Sequence, residues 1–130
     1  METLKMNVKR GNRTVEVNVP LPVPGAVGTM FCGSDRYIVV CNTVLSNKKV
    51  GLMVVYGVDK EKDIIKGDDG YEYLCSPAYN RLLGSWKNHG QQKYYSLRNS
   101  GYWYEISEPK RPGCASVTFG YGEEYTDPDF

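Results

Sequence analysis

Apolar and polar residues alternate with a period of two over the first nineteen positions. Leu4, Met6 and Val8 alternate with Lys5, Asn7 and Lys9, and Val15, Val17 and Val19 with Thr14, Glu16 and Asn18. This is the period of strands, whose successive side chains point to opposite faces. Arg10-Gly11-Asn12-Arg13 separates the two runs, and Gly11 as first central residue suits a two-residue type II′ turn. The resulting register pairs Val8 with Val15, Met6 with Val17 and Leu4 with Val19, and gathers the polar residues on the other face. Residues 1–19 are therefore predicted to form a hairpin.

Three prolines in Pro20-Leu21-Pro22-Val23-Pro24-Gly25 hold φ near one value and remove backbone donors, so residues 20–27 read as a Pro-rich spacer or arm. From Gly28 the pattern thickens into the apolar runs Thr29 to Cys32, Tyr37 to Leu45 and Val50 to Val58. Gly33-Ser34-Asp35 and Ser46-Asn47-Lys48-Lys49 separate them as turns. The near-continuous β-branched stretches Ile38-Val39-Val40 and Val54-Val55 predict strands covered on both faces. Ile64-Ile65 and Tyr71 to Cys75 flank the loop Lys66-Gly67-Asp68-Asp69-Gly70 and read as a further hairpin.

The period then changes. Ser76 is placed as an N-cap and Pro77 at the first helical position, and Tyr79, Leu82, Leu83 and Trp86 follow at i, i+3, i+4 and i+7. The stripe predicts one amphipathic helix at about residues 77–89, lying on a sheet. Gly90 closes it, with Lys87 and His89 near the negative end of its dipole. Gln91 to Arg98 and Tyr102 to Ser107 form a hairpin about Asn99-Ser100-Gly101, with glycine at the left-handed position of a bulged turn. Pro109, Pro112 and Gly113 break the chain before a last strand, Cys114 to Tyr121. The fold class is thus mainly β: antiparallel hairpins form a small sandwich or barrel with one short helix. Residues 1–122 make a single β-rich domain, and residues 123–130 an acidic, loose tail.

Length and composition agree with this reading. A chain of 130 residues, with 41% hydrophobic residues and 14 glycines, can bury a core without disulfides. Cys32, Cys41, Cys75 and Cys114 lack paired C-x-x-C spacing and are expected to be buried, reduced thiols holding no metal, the rival being two disulfides in a secreted domain. No apolar stretch reads as a signal peptide or membrane span, so the expected location is the cytoplasm of the producing or host cell.

Catalytic chemistry finds little support. His89 is the single histidine, and at a helix end it reads as exposed and stabilised by the dipole rather than as a base. Asp68-Asp69 and Asp127-Pro128-Asp129 fall short of the ligand count of a cation site. Gly25, Gly28 and Gly33 match no phosphate-binding loop. No cofactor, metal or catalytic residue is expected.

Sixteen basic and fifteen acidic residues give a formal charge of +1, so bulk charge does not point to nucleic acid. The distinctive feature is aromatic, with eleven tyrosines and two tryptophans, several of them on the last hairpin. Pairing Arg98 with Tyr102 puts Tyr95, Leu97 and Trp103 on one face and Tyr94, Arg98, Tyr102 and Tyr104 on the other. The second set is the candidate binding surface. A slip of one residue would instead expose Tyr95 and Trp103. These features predict a non-enzymatic protein-interaction or assembly module that binds another protein or itself, of the kind a virus or phage encodes as a structural, decoration or host-inhibiting protein. The alternative is a small β-barrel that binds single-stranded nucleic acid, a nucleotide or a sugar on the aromatic hairpin, with Lys87, Lys93 and Arg98 as cations.

Overall fold

The computed structural model describes residues 1–81, 92–106 and 115–125, and all structural statements concern these residues. The strands are β1 (Thr3–Arg10), β2 (Arg13–Pro20), β3 (Val27–Cys32), β4 (Asp35–Ser46), β5 (Lys49–Val54), β6 (Ile64–Lys66), β7 (Glu72–Leu74), β8 (Lys93–Leu97), β9 (Trp103–Glu105) and β10 (Ser116–Phe119). Six of them close into an antiparallel barrel in the order β10-β3-β4-β5-β8-β9, while β1-β2 and β6-β7 are separate two-stranded sheets. Between sandwich and barrel, the fold is a barrel.

Its strands follow directly from the patterning. On β4, Val39 and Cys41 point into the barrel, where they meet Met30, Val50, Leu52, Tyr95, Leu97, Trp103, Val117 and Phe119. Their neighbours Ile38 and Val40 point outward into a second core with Val27, Met53, Val55, Ile64, Leu74 and Ala78. The continuous β-branched run is therefore buried on both faces, as its composition demands. At the barrel centre the rings of Trp103 and Phe119 meet edge to face, 5.8 Å apart at 87°. Gly28 makes room for this arrangement, since a Cβ there would lie 2.6 Å from the Thr118 carbonyl oxygen and 2.9 Å from the Phe119 ring. The barrel closes between β9 and β10 through a single register pair, Trp103 with Val117.

The N-terminal hairpin has the register that its alternation dictates, including Leu4 with Val19, Met6 with Val17 and Val8 with Val15. Gly11 has a φ of 64° and Asn12 has no positive φ, the pattern of a type II′ turn. The hairpin lies on the barrel with Val8, Val17 and Val19 around Gly101, whose φ of 87° supplies the left-handed position of the β8–β9 turn. Where a spacer was expected at residues 20–27, the chain is docked. Pro20 ends β2, Pro22 is buried, the Gly25 N–H donates to the Cys41 carbonyl at 2.8 Å, and Val27 already belongs to β3. The prolines follow the barrel wall because Leu21 and Ala26 between them have apolar surface to bury.

The β6–β7 hairpin and the helical segment 76–81, here α1, cover the outer face of β3, β4 and β5. The Tyr79 N–H donates to the Cys75 carbonyl at 2.9 Å, which makes Cys75 the N-cap and places Ser76 and Pro77 in the first turn. The cap is thus one residue earlier than expected. Proline is tolerated there because first-turn N–H groups lack an intrahelical partner in any case. Ala78 is buried in the outer core and Tyr79 lies against it, whereas Leu82, Leu83, Trp86, His89 and Gly90 fall outside the described residues. The segment after β10 is also held. Thr29, fully buried, donates from Oγ1 to the Tyr121 carbonyl at 2.8 Å and accepts from the Glu123 N–H at 3.1 Å. Arg36 pairs with Glu123, and its backbone exchanges hydrogen bonds with Tyr125. Residues 123–125 are therefore fastened to β3 and β4 rather than loose, and residues 126–130 lie outside the described part.

Candidate functional site

The last hairpin has the register expected of it. Leu97 pairs with Trp103, Ser96 with Tyr104 and Tyr95 with Glu105, and the Arg98 N–H donates to the Tyr102 carbonyl at 3.0 Å. Tyr95, Leu97 and Trp103 are buried, so the one-residue slip is excluded and Tyr94, Arg98, Tyr102 and Tyr104 share the outer face. Tyr94 is exposed, and the other three are half-buried.

Cross-strand pairing extends this face onto β5 as a series of rows. Thr43, Gly51, Tyr94 and Ile106 make one row, and Lys49, Ser96 and Tyr104 the next. Arg98 and Tyr102 stand at the turn, with Arg98 Nε donating to Ser96 Oγ at 2.9 Å. The tip of the β1–β2 hairpin reaches the same place. Arg10 sets its guanidinium 5.6 Å from the centre of the Tyr102 ring and donates from Nη1 to the Ser100 carbonyl at 3.2 Å. The wall thus runs from an aromatic and apolar end, Tyr94 and Ile106, to a cationic end. Arg10 is the addition that only three-dimensional structure makes, because 88 residues or more separate it from the turn it joins.

A second surface lies where β4 outruns β3. β3 pairs with β4 only from Asp35 to Val40, so beyond Cys41 the strand continues with β5 alone, interrupted by bulges at Cys41/Thr43 and Val44/Ser46. The overrun and the Pro-rich segment form the two sides of a cleft of about 600 Å³, lined by Leu21, Pro22, Val23, Pro24, Val44 and Leu45 among others. Its apolar side chains remain open to solvent: Val23 is 42% exposed, Val44 44% and Leu45 57%. Val44 and Leu45 end the apolar run Tyr37 to Leu45 that the sequence marks as strand. Their exposure follows from the unequal lengths of β3 and β4, which periodicity does not report.

Cys41 is buried in the barrel, and burial pushes its thiol up to about 12. Cys32 and Cys75 are also free thiols but only half-buried, which corrects the expectation that all the cysteines are buried; Cys114 lies outside the described residues. Burial, then the charge of Asp35, raises Cys32. Asp69 accepts from the N-terminal amine at 2.5 Å, the Tyr73 hydroxyl at 2.5 Å and the Tyr71 N–H at 3.0 Å, and these donors, the amine first, hold its carboxyl at about 2. Its oxygens serve the protein itself. Among the described residues no group of three His, Cys, Asp or Glu side chains is placed to hold a metal, and no helix is long and apolar enough to cross a membrane. Compared with models of known protein families, with curated proteins and with solved structures, the chain matches none.

Proposed function

We propose that this protein is a non-enzymatic interaction module that receives an extended apolar segment of a partner protein in the cleft between Leu21–Pro24 and the end of β4. The observation that carries the reading is the exposed cleft wall of Val23, Val44 and Leu45. Apolar side chains gathered in a cleft are the usual anchor points of protein recognition, and isolated ones are not. The backbone supports the same choice. A strand paired on one side leaves alternate N–H and C=O groups on the other, and Pro22 and Pro24 have no N–H to offer across the cleft. An extended partner segment can supply both the hydrogen bonds and the side chains.

Selection of displayed random peptides on the intact protein, followed by titration calorimetry of the selected sequences, tests this. We expect peptides with apolar residues at alternate positions, and Leu45→Ser or Val23→Ser should weaken them roughly tenfold or more, as loss of a buried aliphatic contact requires. Tyr94→Ala should leave them unchanged. Peptides that bind Leu45→Ser as well as the parent would refute the cleft. If the protein instead sediments as an oligomer that Leu45→Ser dissociates, the occupant is a second copy of the chain.

A further inference from the structure

We propose that the outer wall of β5, β8 and β9, together with the tip of the β1–β2 hairpin, binds single-stranded nucleic acid, with cations on phosphates and tyrosines against bases. This does not rest on the cleft, which involves other residues. Two turns meet at the cationic end: one carries Lys9, Arg10 and Arg13, the other Arg98, and Lys49 stands beyond Ser96 in the adjacent row. Among the described residues the ion pairs engage Arg36, Arg81, Lys93 and the terminal amine, and none engages these five cations. The chain as a whole is almost balanced in charge, yet among the described residues these five cations gather at one place outside any ion pair. Such a local field is the footprint of a polyanion site even where net charge conceals it.

The neighbouring groups suit phosphate. A cleft of about 530 Å³ between the turns is lined by Asn7, Lys9, Asn99 and Ser100 with Met6, and holds no carboxylate. Amide and hydroxyl donors beside cations are the common phosphate contacts. Arg10 is fixed over Tyr102 and spends one N–H on Ser100, which leaves most of its five donors for a ligand. The aromatic rings decide between kinds of nucleic acid. Tyr102 and Tyr104 are two residues apart on one strand face, about 7 Å, so each ring can meet a separate base, and Tyr94 prolongs the line. Base faces are available in a single strand and hidden in a duplex, and stacking on tyrosine is tolerant of sequence.

The test is fluorescence anisotropy of a labelled oligothymidylate of about 15 nucleotides, the upper range for small barrels, titrated with the whole chain at rising salt. The logarithm of the association constant should fall linearly with that of salt, by about 0.7 per phosphate neutralised. Lys9→Ala with Arg13→Ala, both at exposed positions, should weaken binding roughly tenfold and reduce the slope by about 1.4. Tyr104→Ala should weaken it about fivefold or more with the slope unchanged, as lost stacking requires. Tyr104→Leu serves if the alanine variant fails to fold by circular dichroism. Lys60→Ala, on a different turn, should bind like the parent. Absence of saturable binding at the lowest salt overturns the proposal, as does indifference to the Lys9 and Arg13 substitutions. Duplex DNA or heparin bound as tightly as the oligonucleotide overturns it too, because the surface would then recognise charge alone.

Discussion

Trp103 concentrates the barrel's energetics in one side chain. Its ring is 1% exposed, forms the edge-to-face pair with Phe119, and belongs to the single register pair that closes the barrel. Its indole Nε1 is buried without a hydrogen-bond partner among the described residues. Two substitutions separate these effects. Trp103→Ala should cost about 3–5 kcal/mol, because the ring leaves a cavity that a closed barrel cannot collapse. Trp103→Phe should cost under about 1.5 kcal/mol, since it keeps the aromatic contact and removes an unpaired donor whose burial is itself unfavourable. Urea unfolding of both variants measures the difference, and a Phe variant as damaged as the Ala variant would mean that the indole nitrogen is satisfied after all. The thiols give a second test on this scale. Cys41, buried with its thiol held at about 12, should resist iodoacetamide at pH 8 in the native protein and react on unfolding, as peptide mass spectrometry would show. Rapid native alkylation of Cys41 would contradict the buried position assigned to it.

Among the elements, the β6–β7 hairpin shows how a short sheet is held by its loop. Two three-residue strands cannot persist alone. Apolar burial of Ile64 and Leu74 supplies one anchor and Asp69 the other, through the terminal amine, the Tyr73 hydroxyl and the Tyr71 N–H. The folded carboxyl sits at about 2 against an ordinary 3.8, so its contribution is whole above the unfolded value and disappears as pH falls through the folded one. The melting temperature should therefore decline between about pH 4 and pH 2, and Asp69→Asn should flatten that part of the profile while lowering stability at neutral pH. An identical acid profile for the variant would show that other carboxylates govern acid unfolding. The β1–β2 hairpin illustrates the complementary case. Its register needed no outside help, but its position on the barrel depends on Val8 and Val19 covering Gly101 and on Arg10 reaching Ser100 and Tyr102.

At the scale of the molecule, barrel closure removes most exposed sheet edges, and the two proposed binding surfaces lie where closure is incomplete or covered from outside. β4 overruns β3 and leaves the apolar cleft, while the N-terminal hairpin brings cations to the β8–β9 turn. The two surfaces differ in chemistry, and so in response to salt. Binding in the cleft should depend weakly on ionic strength, because aliphatic burial involves no counterion release. Binding on the cationic wall should weaken steeply.

The sequence by itself determined the local architecture. Period-two alternation placed the strands of both long hairpins and their registers, glycines at Gly11 and Gly101 marked the turns, and the β-branched run at Ile38-Val39-Val40 announced a strand covered twice. These are short-range properties, settled by backbone sterics and the alternation of faces, so neighbouring residues suffice to express them. The four-residue candidate face, Tyr94, Arg98, Tyr102 and Tyr104, was legible for the same reason, since it follows from one turn and one pairing. Only the tertiary structure decided that the hairpins close as a barrel, that Pro20–Gly25 is docked, that residues 123–125 are fastened to β3 and β4, and that Arg10 stacks on Tyr102. It alone decided that Val44 and Leu45 are exposed. Each of these depends on groups far apart in the chain, or on the relative lengths of strands that become neighbours only on folding, and periodicity carries no record of which neighbour will cover a given face.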